Sequence, residues 1–541
     1  MIKVMYIINE SALGGAAQSF LDMLTAIKNK VDPVVIIPSD GMIEECLMQM
    51  QIVYYIIPFE TDYRPIGLHS KQENTAIFFK SYHAALQIRE IIKQEKVQLV
   101  HTNSSVSNVG AIAAIMERIP HIWHIREFLE EDFDSEFVDK ELKKELFDCA
   151  DGMISISECI QAAYKQKYNA DSRCIYNGVD SGRFLVSGLS DRAGNHFLLA
   201  GNLIPSKGQM EAVKAVNRLV KQGIEVHLYI VGAAGNDLYR WLLKKYVREC
   251  GLESYVHIMG FQKDLSKLRQ KCGYAIISSR MEALGRVTIE AMLAGCVVIG
   301  ADTGGTAEVI GSDGSRGYLY KQGSEDDLAR VMCDAMEQKE KNKMIRKTAQ
   351  AYALEMFGLQ KYGEKIIGVY DNILKSKEDS KTDDKERLLK KICRQYESID
   401  GVDISARFFI GANTDKSLML KETVQRWLRL KVEGKSLANV LIQRHIHSAA
   451  VYGMGYLGCC LYDELENNKI TISYVMDRKL NNADAILKVV RMEEQFPETD
   501  AVIITVLGDC SSLQKTLTLK CNCQVLLLNE LLDCCEDGEW Q

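Results

Sequence analysis

The chain is 541 residues long, 47% hydrophobic and 26% charged, with a formal net charge of −7. At roughly 150 residues per domain, that length calls for three or four cores rather than one. The acidic balance excludes a protein built mainly to grip nucleic acid, which shows a basic excess, and no stretch approaches the ~18 uninterrupted apolar residues of a membrane-spanning helix.

From Met1 to Glu10 the sequence is apolar, lacks a basic leader and soon turns polar, so a first buried strand is expected there rather than a signal peptide. Short apolar runs bounded by turn residues follow at Val34–Ile37, Leu99–His101, Gly152–Ser157, Phe197–Ala200, Val226–Val231, Tyr274–Ser278 and Val297–Gly300. They read as buried parallel strands. Between them Ala16–Lys30, Ala84–Lys96 and Lys207–Gln222 space their apolar residues as helices do. This alternation, continued to about Tyr320, predicts a doubly wound α/β architecture.

The polar stretch Ser181–Asn195 ends where a new strand begins and marks a domain junction. Lys375–Lys385 is wholly charged or small and polar, the composition of a solvated linker or exposed helix end. Beyond it come a helical segment, about Glu386 to His445, and a compact strand–helix–strand unit. The expected division is 1–190, 191–374, a linker at 375–390, and 391–541. The sixteen cysteines are scattered, and the pairs Cys459-Cys460, Cys521/Cys523 and Cys534-Cys535 lack the spacing of a zinc site. Reduced thiols and a cytoplasmic setting are expected.

The stretch from Ser278 to Gly295 carries the strongest chemical signal. It follows a buried strand and opens a helix that stops at Gly295. Gly285 at the helix start lets the backbone approach a ligand, and the free amides there, with the positive end of the helix dipole, suit a diphosphate. Glu282 lies in the preceding loop, where it can accept from sugar hydroxyls. Glu290 falls about five residues into the helix, roughly 7–8 Å from its tip, a reach that suits a ribose. Two solvated surface charges are the bland alternative, and their placement around a strand–glycine–helix junction argues against it. Ala200–Gly208 likewise follows a strand and precedes a helix, with Lys207 as a mobile charge for phosphates. Gly14-Gly15, after the first strand, lets the chain pass close to a ligand at the carboxyl edge of the first sheet.

Taken in order, these elements resemble glycosyltransferase family 4 of the GT-B superfamily. The run Glu282–Glu290 resembles that family's E-x7-E motif. Gly300, Thr303-Gly304-Gly305, Glu308 and Gly311 look like its GG-x-x-E segment, and Tyr176-Asn177-Gly178-Val179-Asp180 like the N-G-V-D turn that closes its N-terminal domain. The resemblance covers about residues 1 to 374, including a last helix near Gln360 to Leu374 that crosses back to the first domain. It implies two facing Rossmann-like domains and retention of anomeric configuration. It also implies roles: Glu290 on the ribose, Glu282 on the transferred sugar, and Lys207 on the diphosphate with the amides of Leu284 and Gly285. The backbone at Gly260-Phe261 would meet the nucleobase, Gly14 and Gly15 would line the opposite wall, and His124 would stand beside the donor sugar. One departure is Asn202, where the family has an arginine. Either Arg286 compensates or the phosphates are held less tightly.

At the other end, Ala449 to Gly458 is a strand running into G-x-G-x-x-G (Gly453, Gly455, Gly458), and a second strand ends at Asp477. This order matches a dinucleotide fingerprint. It resembles C-terminal appendages of bacterial polysaccharide-assembly proteins, and equally suits a small Rossmann-like module that only packs or oligomerises. The expectation is therefore a retaining glycosyltransferase using a nucleoside diphosphate sugar, with no required cofactor or metal and a nucleotide or dinucleotide as candidate ligand of the third domain. The acceptor would be a saccharide or lipid-linked saccharide in capsule, O-antigen or exopolysaccharide synthesis, reached at the inner face of the membrane. Donor sugar, base, linkage and oligomeric state stay open. The alternatives are a GT-B sugar-nucleotide 2-epimerase and a degenerate sugar-nucleotide-binding scaffold.

Overall fold

The computed structural model describes residues 1–67, 69–185, 194–376, 381–397, 412–477, 487–508 and 510–537. Parts of the expected junction (186–193), of the linker (377–380) and of the helical segment beyond it (398–411) lie outside the described residues. Contacts group the chain into two units, Met1–Ala233 with Leu252–Val402, and Ala234–Gly251 with Asp403–Gln541.

The first unit holds two parallel sheets. In chain order its strands are β1 (Ile2–Ile7), β2 (Val31–Ile37), β3 (Val53–Ile56), β4 (Tyr63–Pro65), β5 (Leu99–Thr102), β6 (His121–Ile125), β7 (Ser135–Phe137), β8 (Gly152–Ser155) and β9 (Arg173–Cys174). They continue with β10 (His196–Ala200), β11 (His227–Val231), β12 (Val256–Met259), β13 (Tyr274–Ile277), β14 (Val297–Ala301) and β15 (Tyr318–Tyr320). The first sheet runs β3-β2-β1-β5-β6-β8-β9 and the second β12-β11-β10-β13-β14-β15, while β4 and β7 form a separate antiparallel ribbon. Strands β5, β6 and β14 are buried at every residue, as strands covered by helices on both faces must be. The sequence-based strand at Val34–Ile37 extends back to Val31 through Pro33. That proline is tolerated because β3 pairs with β2 only from Val34 onward, so no neighbour on that side asks for its missing N–H. The apolar-run reading leaves out β6, His121–Ile125, because two histidines break up its apolar pattern.

In both sheets the strand order reverses beside the first strand, between β1 and β5 and between β10 and β13. Such switch points open a crevice at the carboxyl ends of the strands. The helix Leu359–Lys375 returns to the first lobe. Its Gly363 lies so close to the helix Gly15–Ile27 that a Cβ there would stand 2.8 Å from the Ala26 carbonyl oxygen. Its Tyr370 hydroxyl meets His101 Nδ1 at 2.6 Å and the Tyr6 hydroxyl at 3.2 Å in the buried core.

The second unit has a four-stranded parallel sheet, with β16 (Ser448–Tyr452), β17 (Thr471–Met476), β18 (Ala501–Ile504) and β19 (Gln524–Leu527) in the order β17-β16-β18-β19. The helix Asp237–Glu249 packs within this unit against Tyr456–Asn467, with Trp241 edge-on to Tyr462 at 4.9 Å and Lys245 paired to Glu466 at 2.9 Å. Among the described residues no helix is long and apolar enough to cross a membrane.

Candidate active site

A cavity of about 400 Å³ lies at the carboxyl edges of the two sheets of the first unit, lined from one lobe by residues such as Glu10, Gly14 and Arg126 and from the other by Lys207, Glu282 and Gly285. On the second lobe β13 ends at Ile277, a loop follows, and the helix Arg286–Leu293 begins. Gly285 is the N-cap, with φ +77°, a left-handed conformation that side chains with a Cβ disfavour. No side chain caps this helix, so its first amides face the cavity unclaimed by a capping group. The loop is held from below by Gly305, where a Cβ would lie 2.4 Å from Leu284 Cα.

The charges of the cleft are largely paired with one another. Lys207 Nζ donates to Glu282 Oε1 at 2.8 Å and lies 3.9 Å from Asp132 Oδ2 of the first lobe. Burial alone would lower the pKa of this ammonium, but Glu282 and Asp132 outweigh it and hold the group above the usual lysine value. Arg286 donates to Glu290 at 2.9 Å on its own helix and reaches Asp22 of the first lobe at 2.6 Å and Ser19 Oγ at 3.3 Å. Glu290 accepts in addition from Arg269 at 2.7 Å. Two more contacts cross between the lobes: Glu308 accepts from the backbone amides of Glu158 and Cys159 at 2.9 and 3.0 Å, and Ser157 Oγ bonds the Ala283 carbonyl.

On the first-lobe wall, Glu10 Oε1 accepts from the Ala17 amide at 2.9 Å, placing a carboxylate at the start of the helix that Gly14 caps. Burial raises the pKa of Glu10 and of Glu127, which accepts from Ser104 Oγ at 3.0 Å, the Ser105 amide at 2.6 Å and Ser105 Oγ. His124 lies behind this wall, with no exposed surface. Its Nδ1 meets His101 Nε2 at 3.1 Å and Arg126 Nη2 at 3.2 Å. Burial, then the Arg126 charge, holds its pKa well below the ordinary histidine value.

Two family models account for the two lobes. Glycosyltransferase Family 4 matches residues 13–183 and Glycosyl transferases group 1 matches residues 187–352. The chain is a GT-B glycosyltransferase. It is 22% identical over 340 residues to an uncharacterized glycosyltransferase of Methanocaldococcus jannaschii, covering 60% of this chain and 90% of that one. A phosphatidyl-myo-inositol mannosyltransferase of Mycobacterium tuberculosis is 25% identical over 232 residues, covering 41% of this chain and 60% of its own. In fold, it superposes on the crystal structure of HepE from Anabaena in complex with UDP-glucose with a TM-score of 0.57 at 24% identity, over 69% of this chain and all of that one.

Of the residues singled out in the sequence, Gly14, Gly15, Asn202, Lys207, Glu282, Leu284, Gly285 and Arg286 of the transferase line one cavity. Glu290 stands one turn behind, its carboxylate engaged by Arg286 and Arg269. Phe261 follows β12 and is 71% exposed, and neither it nor Gly260 belongs to the cavity wall. Sequence reasoning passed over Glu10, Asp22, Arg126, Glu127 and Asp132. The one available signal was position: Arg126-Glu127 directly follows β6, as cleft residues of an α/β sheet do.

In the second unit, Gly453 (φ +94°), Gly455 and Asp477 line a cavity of about 590 Å³, with Asn236 and Asp237 opposite. Gly458 lies beneath it, where a Cβ would stand 2.1 Å from the Gly453 carbonyl oxygen. Asp477 Oδ2 accepts from the Met454 amide at 2.7 Å.

Proposed function

We propose that the transferase moves a hexosyl group, with retention, from a nucleoside diphosphate sugar to a saccharide or lipid-linked saccharide acceptor in surface-polysaccharide assembly at the cytoplasmic face of the membrane. The observation that carries this is that Lys207, paired with Glu282 at 2.8 Å, and the uncapped helix start at Gly285 line one cavity. A diphosphate at those amides meets a positive dipole end and a mobile ammonium at once. Glu282 then faces the sugar hydroxyls. As the bond from the anomeric carbon to the phosphate oxygen breaks, its electron pair stays on the nucleoside diphosphate, where Lys207 and the amides stabilise it. The acceptor hydroxyl oxygen bonds the anomeric carbon on that same face and gives its proton to the departing phosphate oxygen, so no protein nucleophile is required. The Anabaena protein, crystallised with UDP-glucose, supports UDP as the first nucleoside diphosphate to test.

A thermal-shift screen against UDP-, GDP- and ADP-sugars tests the donor class, since a ligand at ~100 times its Kd stabilises by about 2.7 kcal/mol. One of them is expected to stabilise the wild type and to lose that effect in Lys207→Ala. Product made only when an acceptor is added separates a transferase from an epimerase, and an α-linked product from an α-linked donor establishes retention. A chain that binds no nucleotide sugar would sink the proposal.

For the second unit we infer a nucleotide or dinucleotide site. Gly453 and Gly458 are required by backbone conformation and by close packing, but a Cβ on Gly455 would meet nothing within 4 Å. The space it leaves open faces the cavity at the N-terminus of Tyr456–Asn467. NAD and ATP are the probes; Gly455→Val is expected to abolish their binding while sparing the sugar-nucleotide shift. Binding by neither probe would refute it.

A further inference from the structure

Three cations line the cleft, and two already have counter-charges: Lys207 has Glu282 and Asp132, and Arg286 has Asp22 and Glu290. Arg126 differs. It is 6% exposed, and the hydrogen bonds that fix its guanidinium go to neutral acceptors. Nε donates to Asn103 Oδ1 at 3.0 Å, Nη1 to Asn177 Oδ1 at 2.6 Å and Nη2 to His124 Nδ1 at 3.2 Å. No carboxylate among the described residues comes within ion-pair distance of it. The two nearest in the wall are spent elsewhere, Glu10 on the Ala17 amide and Glu127 on Ser104 and Ser105.

An arginine stays charged when buried, and a buried charge without a counter-ion is costly. Three of its five N–H groups are used, and the planar fork suits bidentate recognition of a phosphate. Asn103 follows β5, Arg126 follows β6, and Asn177 sits in the turn whose Val179 amide bonds the Phe357 carbonyl just before the helix Leu359–Lys375. These three segments together aim a rigid cation, with no direct ion-pair partner among the described residues, into the cavity, where Glu10 and Glu127 feel its charge only at a distance. We infer that Arg126 is a phosphate-binding residue of the N-terminal lobe, facing Lys207 across the bound substrate. The inference rests on the transferase reading and adds to it a second cation, from the lobe opposite Asn202. The phosphate belongs either to the donor's diphosphate or to a phosphorylated acceptor lipid; the chemistry of recognition is the same.

The full chain is titrated by calorimetry with inorganic pyrophosphate, farnesyl monophosphate, UDP and uridine, as wild type, Arg126→Gln and Arg126→Lys. In Arg126→Gln the affinity for pyrophosphate and UDP is expected to fall by about tenfold or more if the donor is the source, and that for farnesyl monophosphate if the acceptor is. Arg126→Lys keeps the charge but not the fork and is expected to restore only part of whichever affinity is lost. Uridine, which has no phosphate, is expected to bind all three equally. Arg126→Gln that binds every phosphate as the wild type does overturns the inference, as does Arg126→Gln that loses affinity for uridine in the same proportion, the mark of a merely structural role. Failure of the wild type to bind UDP or uridine counts against the base assigned to the donor, and pyrophosphate and farnesyl monophosphate still decide the role of Arg126.

Discussion

The buried pair Lys143–Asp62 offers a quantitative test of how the first-lobe wall is held. Lys143 has no exposed surface; its Nζ bonds Asp62 Oδ2 at 2.7 Å and the Ser105 carbonyl at 2.6 Å, and lies 4.7 Å from the Trp123 ring centre and 4.6 Å from that of Phe137. Ser105 in turn holds Glu127 of the cleft wall. Lys143→Met removes the cation and leaves a buried carboxylate alone, a change that typically costs about 3–5 kcal/mol. Asp62 has an escape, because a buried carboxyl can take up a proton. Burial already raises its pKa against the opposing pull of Lys143, and without Lys143 the rise is larger. The folded variant then binds a proton that the unfolded chain releases near pH 3.8, so stability is lost as pH rises from there to the folded pKa, by about 1.4 kcal/mol per unit. Lys143→Met is therefore expected to be more destabilised at pH 8 than at pH 5. Adding Asp62→Leu replaces the pair by apolar groups and is expected to recover most of the loss at pH 8. Urea melts followed by circular dichroism at the two pH values measure all three variants. A single mutant costing under about 1 kcal/mol at pH 8, or a double mutant no better than the single, would refute the assignment of this pair as the buried brace.

Glu290→Gln keeps the shape but removes the charge shared by Arg286 and Arg269, and is expected to cut turnover by roughly 10²-fold; wild-type rates would contradict its placement at the site. Gly305→Ala puts a Cβ 2.4 Å from Leu284 Cα and must displace the diphosphate loop. It is expected to abolish the sugar-nucleotide thermal shift at a stability cost of about 1–3 kcal/mol, and an unchanged shift would show that the loop is not the binding element. His101, His121 and His124 are fully enclosed, with pKa values depressed chiefly by burial, that of His121 to about 3. The unfolded chain protonates them near 6.5 and the folded chain does not, so their contribution is whole above pH 6.5 and falls away as pH drops towards 3. His121→Asn is expected to flatten the fall in stability over that range, and an unaltered slope would refute the point.

The parts of the fold legible in the sequence are those where one local rule dominates. Central strands such as Val297–Ala301 are buried on both faces and show as uninterrupted apolar runs, and Gly285 at a strand-to-helix turn marks a helix start that lines the cleft on chain geometry alone. What escaped depends on partners distant in sequence. Arg126 becomes significant only because Asn177 stands 51 residues away and offers an amide oxygen rather than a carboxylate. Arg286 looks like a spare phosphate ligand beside Gly285 until Asp22, on a helix of the other lobe, is seen to hold it. Glu308 belongs to a recognisable segment, yet its work, anchoring the start of Glu158–Tyr168, is invisible before the lobes are assembled. The helix Asp237–Glu249, between β11 and β12 in the chain, gives no sequence sign that it packs with the C-terminal unit.

These pairings imply that the cleft's charges divide into fixed and transferable ones. Arg286 is held by two carboxylates, Asp22 and Glu290, and its side chain is 11% exposed. A single incoming anion would have to displace both, so the two carboxylates tie Arg286 between the lobes in this structure. Lys207 has one close partner, Glu282 at 2.8 Å, and a second at 3.9 Å. A diphosphate at the Gly285 amides brings more negative charge to Lys207 than that single carboxylate does, and Coulomb attraction at comparable distance favours the exchange. On the proposed placement of the donor, the exchange would free Glu282 beside the sugar. Before binding, the Lys207–Glu282 pair keeps both side chains in place and neither charge alone. On the proposed donor placement, binding would call first for a change of partner at Lys207.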